Sequence, residues 1–396
     1  MILTTKQEQG LKIAIERYKN QEPYTCIAGY AGTGKSTLIR FIIDALQIDP
    51  DKDVCYVAYT GKAACVLRSK GCPNAITAHK LLYWAAPKPN GGFVFKPKAK
   101  LENLYKVIVV DEISMLPKEM WDLLLKHRVY VLATGDPGQL PPIDPKTDNH
   151  VLDHPHIFLD EIMRQAMDSE IIRLSMWIRE GNSLETFPCE ENQVKIISPI
   201  KVVSGMYTWA DQIICATNAK RAEINSYFRK LKGFGPEPAI GDKVIGLSNH
   251  WEYLSQTGNW ALTNGTIGTI TNFSIQQFRL PYYISKQPID YMFTDIVLED
   301  GDAFFSTPID YAQLKTGVST LTPQQIFQIN RNNKLLDAPF DFTYAYAITG
   351  HKSQGSEYKK VLAYEERFPF SAEDHKRWLY TVATRAEEKL TIVTAN

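Results

Sequence analysis

Eight consecutive residues, GYAGTGKS from Gly29 to Ser36, fit the spacing G-x-x-x-x-G-K-[ST] without a gap. A triphosphate carries dense negative charge that must be met by many donors at short range, and bare backbone supplies them. Gly29, Gly32 and Gly34 lack a Cβ and can take up φ > 0, so N–H groups from about Gly32 through Thr33 to Thr37 can converge on the phosphates at a helix N-terminus. Lys35 adds a mobile cation for the β and γ phosphates, and the Ser36 hydroxyl is placed to ligate Mg²⁺. The plainer reading, a glycine-rich turn, loses to context. An apolar strand over 24–28 leads in, and a helix over 35–46 leads out with Leu38, Ile39, Ile42, Ile43 and Leu46 at helical spacing. The segment implies a nucleoside triphosphatase.

Two further strand ends narrow the chemistry. The apolar run 107–110 stops at Asp111 and Glu112, which places two carboxylates at the edge of a strand beside the phosphate loop. Asp111 would hold Mg²⁺ through water and Glu112 would polarise the attacking water, a division of labour that suits hydrolysis, whereas a kinase must shield the γ-phosphate from water. A solvated acidic turn is the alternative for the pair alone. A second buried-type strand over 129–134 runs into GDPGQLPPI, Gly135 to Ile143, where a loop stiffened by glycine and proline would hold the Gln139 amide against the γ-phosphate.

GYAGTGKS, VVDEIS, GDPGQLPPI, AITGHKSQGSE and YTVATRA, in that order, resemble motifs I, II, III, V and VI of superfamily 1B DNA helicases of the RecD/Dda-like branch, and the resemblance covers nearly the whole chain. It implies an α/β fold of two RecA-like P-loop NTPase domains in tandem, with a small β-hairpin insertion in the first and a small β-barrel insertion in the second. It also implies an ATP- and Mg²⁺-dependent helicase that tracks single-stranded DNA, with 5′→3′ polarity. By the same resemblance Gln7, in LTTKQ, would read the adenine. Arg164, in FLDEIMRQ, and Arg385 would reach the γ-phosphate from the second domain, and Gly355 and Glu357 would line the nucleotide site. Candidate DNA contacts lie in loops after strands: Thr60 and Lys62, Thr77 and His79, Thr217 and Asn218, and Thr349, His351 and Lys352. Hydroxyls, amides and loop N–H groups grip phosphates without reading sequence.

The elements that must position these groups follow from periodicity. No second phosphate loop occurs after residue 150, although strands are expected over 212–216, 343–347, 360–364 and 390–394, with a helix over 372–385. One nucleotide must then serve two domains, 1–83 with 101–150 and 151–240 with 340–396, and arginines closing on the γ-phosphate would couple hydrolysis to movement. Between them, WAAPKPNGGFVFKPKAK over 84–100 carries an Asn-Gly-Gly turn suited to a hairpin. Phe93 or Phe95 could stack on a base where a duplex opens, or the hairpin could be an apolar cover for the first domain. Residues 241–339 show β-type runs with Asn-Gly and Asp-Gly turns and read as a small barrel, with Trp251, Tyr253, Trp260 and Phe273 as core. The polar stretch 311–336 is left unassigned.

Composition excludes several classes. Lys plus Arg and Asp plus Glu both number 44, so no strongly basic balance announces nucleic acid and any grip must be a local groove. The six cysteines form no C-x-x-C pair, which argues for buried thiols in a reducing compartment over an iron-sulfur or zinc site. His150, His154 and His156 beside Asp148 and Asp153 read as a solvated connector. The start of the sequence has no cationic-apolar leader and no apolar run reaches the ~20 residues of a membrane span, so a soluble cytoplasmic protein is expected. The expected partners are single-stranded DNA and duplex junctions, with single-strand-binding or replication and recombination proteins, for a chain working as a monomer. Two alternatives stand beside the DNA helicase: an RNA or dual helicase, and a nucleic-acid-stimulated ATPase that remodels a partner without unwinding.

Overall fold

The computed structural model describes residues 3–87, 93–142, 145–258, 260–331, 338–367 and 371–395. Two compact units are present: Met1–Leu82 with Lys98–Thr217 and Ile348–Asn396, and Tyr83–Pro97 with Asn218–Ala347.

The first unit holds two parallel sheets. In the first, strands run in the order Ala75–Thr77, Val54–Ala58, Val107–Val110, Tyr130–Gly135, Tyr24–Gly29 and Ile157–Leu159, and every neighbouring pair is parallel. All residues of Val107–Val110 and Tyr130–Gly135 are buried, as expected of strands covered on both faces by helices. The phosphate-loop helix, Lys35–Ala45, buries Leu38, Ile39, Ile42 and Ile43, and these pack with Ile27, Val107, Val109, Leu132 and Ile157 into one core. Parallel pairing aligns the C-terminal ends of Tyr24–Gly29, Val107–Val110 and Tyr130–Gly135, so the phosphate loop, Asp111 and Asp136 leave the sheet at one edge. The strand Ile157–Leu159 also joins this sheet, beside the phosphate-loop strand, beyond the residue 150 at which the sequence reading ended the first domain.

The second sheet runs Ala347–Thr349, Gln212–Cys215, Tyr358–Tyr364, Ala386–Val393 and Val194–Ile197. The pairs among the last four strands are parallel. The expected strand over 343–347 is split in the structure. Phe342–Tyr344 pairs antiparallel with Lys243–Gly246 in the other unit's sheet, and Ala347–Thr349 enters this one. The helix Ala372–Ala383 buries Trp378, Leu379, Tyr380, Thr381, Val382 and Ala383, and Arg385 follows it directly.

The second unit contains a five-stranded antiparallel sheet in the order Ala303–Asp310, Ile289–Val297, Ile267–Phe278, Lys243–Gly246 and Phe342–Tyr344. Phe340 N donates to Pro308 O (2.7 Å) and Asp310 N to Phe340 O (3.0 Å), tying one edge strand to the chain just ahead of the other. The region left unassigned from sequence forms two helices, Tyr311–Thr316 and Pro323–Arg331. A separate hairpin pairs Tyr83–Pro87 with Phe93–Pro97, and its Asn-Gly-Gly turn lies outside the described residues.

Candidate nucleotide site

The phosphate loop ends at Gly34, whose φ of +81° is left-handed and which caps the following helix without any side-chain hydrogen bond. The first intrahelical bond is Leu38 N to Gly34 O (2.9 Å), so the N–H groups of Lys35, Ser36 and Thr37 have no partner within the helix. Three other helices of this unit are closed differently. Thr4, Ser169 and Ser371 each cap a helix start by side chain and an acidic residue sits in the first turn. The phosphate-loop helix has neither, which leaves its positive end for an external anion. Gly32 also has a positive φ, +76°, whereas Gly29 does not. The expectation of φ > 0 at Gly29 is therefore corrected: that glycine is required by space, since a Cβ there would lie 2.8 Å from Thr33 Oγ1 and 2.9 Å from Leu159 Cβ.

Lys35 Nζ donates to the carbonyls of Gly29 (2.7 Å) and Tyr30 (3.1 Å), so the cation lies along the loop it was expected to serve. Thr33 turns inward, donating from Oγ1 to Tyr30 O (2.8 Å). Gln7 is buried, accepting at Oε1 from Thr4 N (3.0 Å) and donating from Nε2 to Thr33 O (3.1 Å). These bonds fix the amide against the loop and leave it one N–H and one lone pair for a ligand.

Asp111 Oδ1 accepts from Thr134 Oγ1 (2.9 Å), a hydroxyl on the adjacent strand. Glu112 stands at φ +49°, a strained conformation for a non-glycine residue and one that recurs at functional positions. Burial pushes its carboxyl above the usual range, the Asp111 charge pushes it further, and Arg385 and Lys35 pull it back. One carboxylate thus feels a cation from each lobe. Gln139 Nε2 donates to Glu112 Oε1 (3.4 Å).

The second lobe reaches this edge through groups that sequence reasoning passed over. Leu140 N donates to Thr381 Oγ1 (2.9 Å), and Gln354 Nε2 donates to Leu140 O (2.7 Å). Tyr380 Oη donates to Asp136 Oδ2 (2.6 Å) and accepts from Ala31 N (2.8 Å). Arg385 is buried, with its guanidinium donating to Thr381 O (3.1 Å), Ser356 O (3.2 Å) and Thr384 Oγ1 (3.2 Å). Tyr380, Thr381 and Gln354 all stand inside quoted motifs. Their signal was their place on a helix and loop leading to Arg385 and Gly355, which only the fold turns toward Asp136.

Arg164 starts the short helix Arg164–Met167, and its side chain lies outside the described residues. Its backbone does not come from the second lobe. Met163 N donates to Gly32 O (3.0 Å), which seats this segment on the phosphate loop itself, following the first-sheet strand Ile157–Leu159. Gly355 has φ +68° and faces Ala63 and Met115, while Glu357 is ion-paired with Lys70 at the end of the helix Gly61–Ser69 and turned toward that helix.

The proposed DNA contacts are placed less uniformly. Thr60 caps the helix Gly61–Ser69 through Ala63 N (3.2 Å), and Thr77 accepts from Lys80 N (3.3 Å). Lys62 Nζ lies 4.4 Å from the centre of the Tyr358 ring. His79 packs on Tyr59, and burial pushes its imidazole down to about 4, so it stands neutral near pH 7. Burial lowers His351 as well. His351 and Lys352 share the short helix Gly350–Ser353, which Thr349 precedes without a side-chain cap bond. Thr217 Oγ1 donates to Glu366 Oε1 (2.7 Å), and Glu366 Oε2 also accepts from Ala216 N and Thr217 N. Asn218 begins the helix Asn218–Leu231 of the other unit, where Phe95 meets Tyr83 edge-on at 6.4 Å and the Phe93 side chain lies outside the described residues. The histidine-rich connector is structural in part: His156 Nδ1 accepts from Cys26 N (2.9 Å), and His150 pairs with Asp153 (3.0 Å). Cys26, Cys55 and Cys215 are buried free thiols, and no helix among the described residues is long and apolar enough to cross a membrane.

Comparison with known proteins agrees with this geometry. Residues 4–197 match the AAA domain family, and residues 344–393 match the UvrD-like helicase C-terminal domain family. The ATP-dependent DNA helicase dda of Enterobacteria phage T4 is 29% identical over 148 residues, 36% of this chain and 34% of that protein. The ATP-dependent DNA helicase PIF1 of Candida albicans is 26% identical over 338 residues, 69% of this chain and 35% of that protein. The ATP-dependent RecD2 DNA helicase of Deinococcus radiodurans is 32% identical over 163 residues, 40% and 22% of the two chains. The chain thus spans about a third or less of the length of these relatives. Among solved structures, Bacteroides Pif1 bound to single-stranded DNA aligns with TM-score 0.52 at 18% identity, covering 99% of this chain and 92% of that one. Candida albicans Pif1 helicase aligns with TM-score 0.50 at 19% identity, covering 100% and 95%. At such identity the likeness is one of fold, a mixed α/β fold with tandem RecA-like domains.

Proposed function

We propose that this chain, which belongs to the superfamily 1B helicases of the Pif1/RecD/Dda type, hydrolyses ATP between two RecA-like lobes and uses the cycle to track along single-stranded DNA and open duplex ahead of it. One observation carries the reading. Leu140, next to Gln139, is held at its N–H by Thr381 and at its carbonyl by Gln354, so the loop beside the acid Glu112 is bonded to the second lobe as well as to its own sheet. Any change in how the lobes meet must then move Gln139 and Glu112.

In this reading the uncapped helix start, Lys35 and the N–H groups of Lys35 to Thr37 bind the phosphates, exchanging the loop carbonyls now bonded to Lys35 Nζ for phosphate oxygens. The donor set also suits Mg²⁺, a hard cation that takes oxygen ligands: the Ser36 hydroxyl and the Asp111 carboxylate, oriented by Thr134, would hold it, and it would neutralise phosphate charge. Glu112 takes the proton of the attacking water, Gln139 orients that water, and Arg385 stabilises charge on the γ-phosphate. Gln7 reads the adenine with its remaining donor and acceptor. Arg164, on the phosphate loop's own lobe, is a second cation for the phosphates.

On the track side, loop hydroxyls, amides and N–H groups around Thr60, Thr77, Thr217, Asn218 and Thr349, with Lys62 and Lys352, grip the DNA backbone. Neutral His79 and His351 contribute hydrogen bonds or stacking rather than charge. The hairpin bearing Phe93 and Phe95 serves as the strand-separating pin, and the antiparallel sheet of the second unit is the barrel-like insertion. Tracking is 5′→3′, by one chain acting alone in the cytoplasm, on single strands and duplex junctions.

Strand displacement tests this directly, using duplexes with only a 5′ or only a 3′ tail and ATP. Displacement from the 5′-tailed substrate alone is expected. ATP turnover stimulated by single strands but without displacement from either substrate selects a remodelling ATPase instead, and stronger stimulation by poly(U) than by poly(dT) selects an RNA helicase.

A further inference from the structure

We infer that Tyr380 is a positioning residue for ATP hydrolysis, a hydroxyl that fixes the phosphate loop, the Gln139 loop and the helix leading to Arg385 in one arrangement. The inference rests on the ATPase reading above and extends it to a residue outside the quoted set of phosphate-contacting groups.

The geometry at this phenol is complete in both directions. Its oxygen accepts from Ala31 N, inside the phosphate loop, at 2.8 Å, and its proton goes to Asp136 Oδ2 at 2.6 Å. The other Asp136 oxygen accepts from Gly138 N (2.9 Å), and the Asp136 carbonyl accepts from Gln139 N (3.2 Å). The carboxylate therefore fixes the turn on which Gln139 stands, and Tyr380 fixes the carboxylate. The ring is wedged as well: a Cβ on Gly138 would lie 3.0 Å from Tyr380 Cε1, and Tyr30 of the phosphate loop meets the ring edge-on at 6.4 Å.

Tyr380 and Asp136 are both buried, so neither can replace the other with water. A buried carboxylate must be hydrogen-bonded, and among the described residues the phenol is one of two donors that satisfy it. Burial and the Asp136 charge hold the phenol well above its ordinary range, so it keeps its proton and remains a donor at any working pH. The next residue, Thr381, accepts from Leu140 N and, through its carbonyl, from Arg385 Nε (3.1 Å). A shift of Tyr380 thus reaches Gln139 through Asp136 and Arg385 through Thr381.

ADP binding draws on Lys35 and the N–H groups of Lys35 to Thr37, none of which bonds to Tyr380, whereas turnover needs Gln139 and Arg385 in place. A positioning role therefore predicts a split. Tyr380→Phe keeps the wedged ring and removes one hydroxyl, and kcat for single-strand-stimulated ATP hydrolysis should fall about tenfold, the usual scale for a buried hydrogen bond, while the Kd for ADP stays within about twofold. Tyr130→Phe is the matched control. Its hydroxyl is also buried, bonded to Ala14 O (3.0 Å) and Thr25 Oγ1 (2.6 Å), but at the opposite end of its strand from Asp136. It should lower the melting temperature by a similar amount and leave kcat near wild type. Wild-type kcat in Tyr380→Phe overturns the inference. So does a parallel loss of kcat and ADP affinity in both variants, which would mark a general loss of structure. A wild-type chain with no ATP turnover overturns the ATPase reading itself, before any variant is compared.

Discussion

Gln139 Nε2 donates to Glu112 Oε1 across 3.4 Å, joining the loops that leave two adjacent parallel strands, Val107–Val110 and Tyr130–Gly135. The amide and the acid are thus brought together by strand register rather than by sequence proximity, and their shared edge is the one from which the phosphate loop also departs.

Glu112→Gln tests the acid. The variant should lower kcat by about 10² to 10⁴ while retaining ADP binding, because it removes the proposed proton acceptor and little else. The pH profile follows from the raised carboxyl: the base must be ionised, so activity should fall with decreasing pH at a higher value than an ordinary glutamate would give. The stability sign is opposite. A folded-state carboxyl raised above its unfolded value binds its proton more tightly in the native state, so stability is lost as pH rises between the two values, and at neutral pH the ionised acid is a cost. Glu112→Gln removes that cost, so thermal melts at pH 7 should show an unchanged or higher melting temperature. An inactive variant that also melts earlier would show that the side chain is mainly structural.

Gly34→Ala should abolish nucleotide binding. The left-handed φ of +81° costs an L-residue about 1 to 2 kcal/mol, and the new Cβ would lie 2.4 Å from Gln7 Nε2 and 2.6 Å from Met163 Sδ. Gly181→Ala separates the two contributions, since Gly181 has φ +83° with nothing near its Cβ position. Thermal melts should show a larger loss for Gly34→Ala than for Gly181→Ala, and isothermal titration with ADP should show binding lost only in the former. Equal losses in both would reduce Gly34 to a matter of backbone strain.

The phosphate loop, the two acids and Gln139 were legible because each is a local pattern: glycine spacing, or a polar residue directly after an apolar strand. The helix over 35–45 followed from the spacing of Leu38, Ile39, Ile42 and Ile43. What was not legible depends on pairing between distant segments. Ile157–Leu159 is a three-residue strand whose place beside Tyr24–Gly29 is set by long-range register, so the first sheet extends past the expected domain boundary at residue 150. For the same reason Arg164 falls on the phosphate loop's own lobe. Loop position marks Thr217 as a ligand contact and the family resemblance marks Glu357, and the structure gives each a charged partner from another segment, Glu366 and Lys70. Tyr380 opens the YTVATRA motif, but nothing local assigns its hydroxyl a partner, since a tyrosine on a buried helix face is ordinarily core.

Thr134→Val tests the proposed Mg²⁺ site from behind. The Thr134 hydroxyl is the donor that orients Asp111 (2.9 Å), and valine keeps the volume and the β-branched strand preference while removing that donor. The Mg²⁺ concentration for half-maximal ATP turnover should rise about 10- to 100-fold, with maximal turnover recovered at high Mg²⁺. An unchanged Mg²⁺ dependence would remove Asp111 from the metal-holding role or show that its orientation is set elsewhere.

Arg385 is the point at which the two-lobe reading is most exposed to test. Its guanidinium acts on Glu112 in the first lobe while its nitrogens are held by Thr381, Ser356 and Thr384 in the second. A positive charge fixed beside a transferring phosphoryl group is worth about 10³ to 10⁵ in rate, so Arg385→Ala should lower kcat on that scale with little change in ADP affinity. Alanine also leaves the Thr381 and Ser356 carbonyls without this donor in a buried place, a cost of about 1 to 3 kcal/mol that must be separated from the loss of charge. Arg385→Lys keeps the charge but cannot reproduce the forked geometry, so it should recover stability more than turnover. Single-turnover ATP hydrolysis, read beside thermal melts of both variants, distinguishes the two effects. Undiminished hydrolysis in Arg385→Ala would mean that the lobes do not share the reaction.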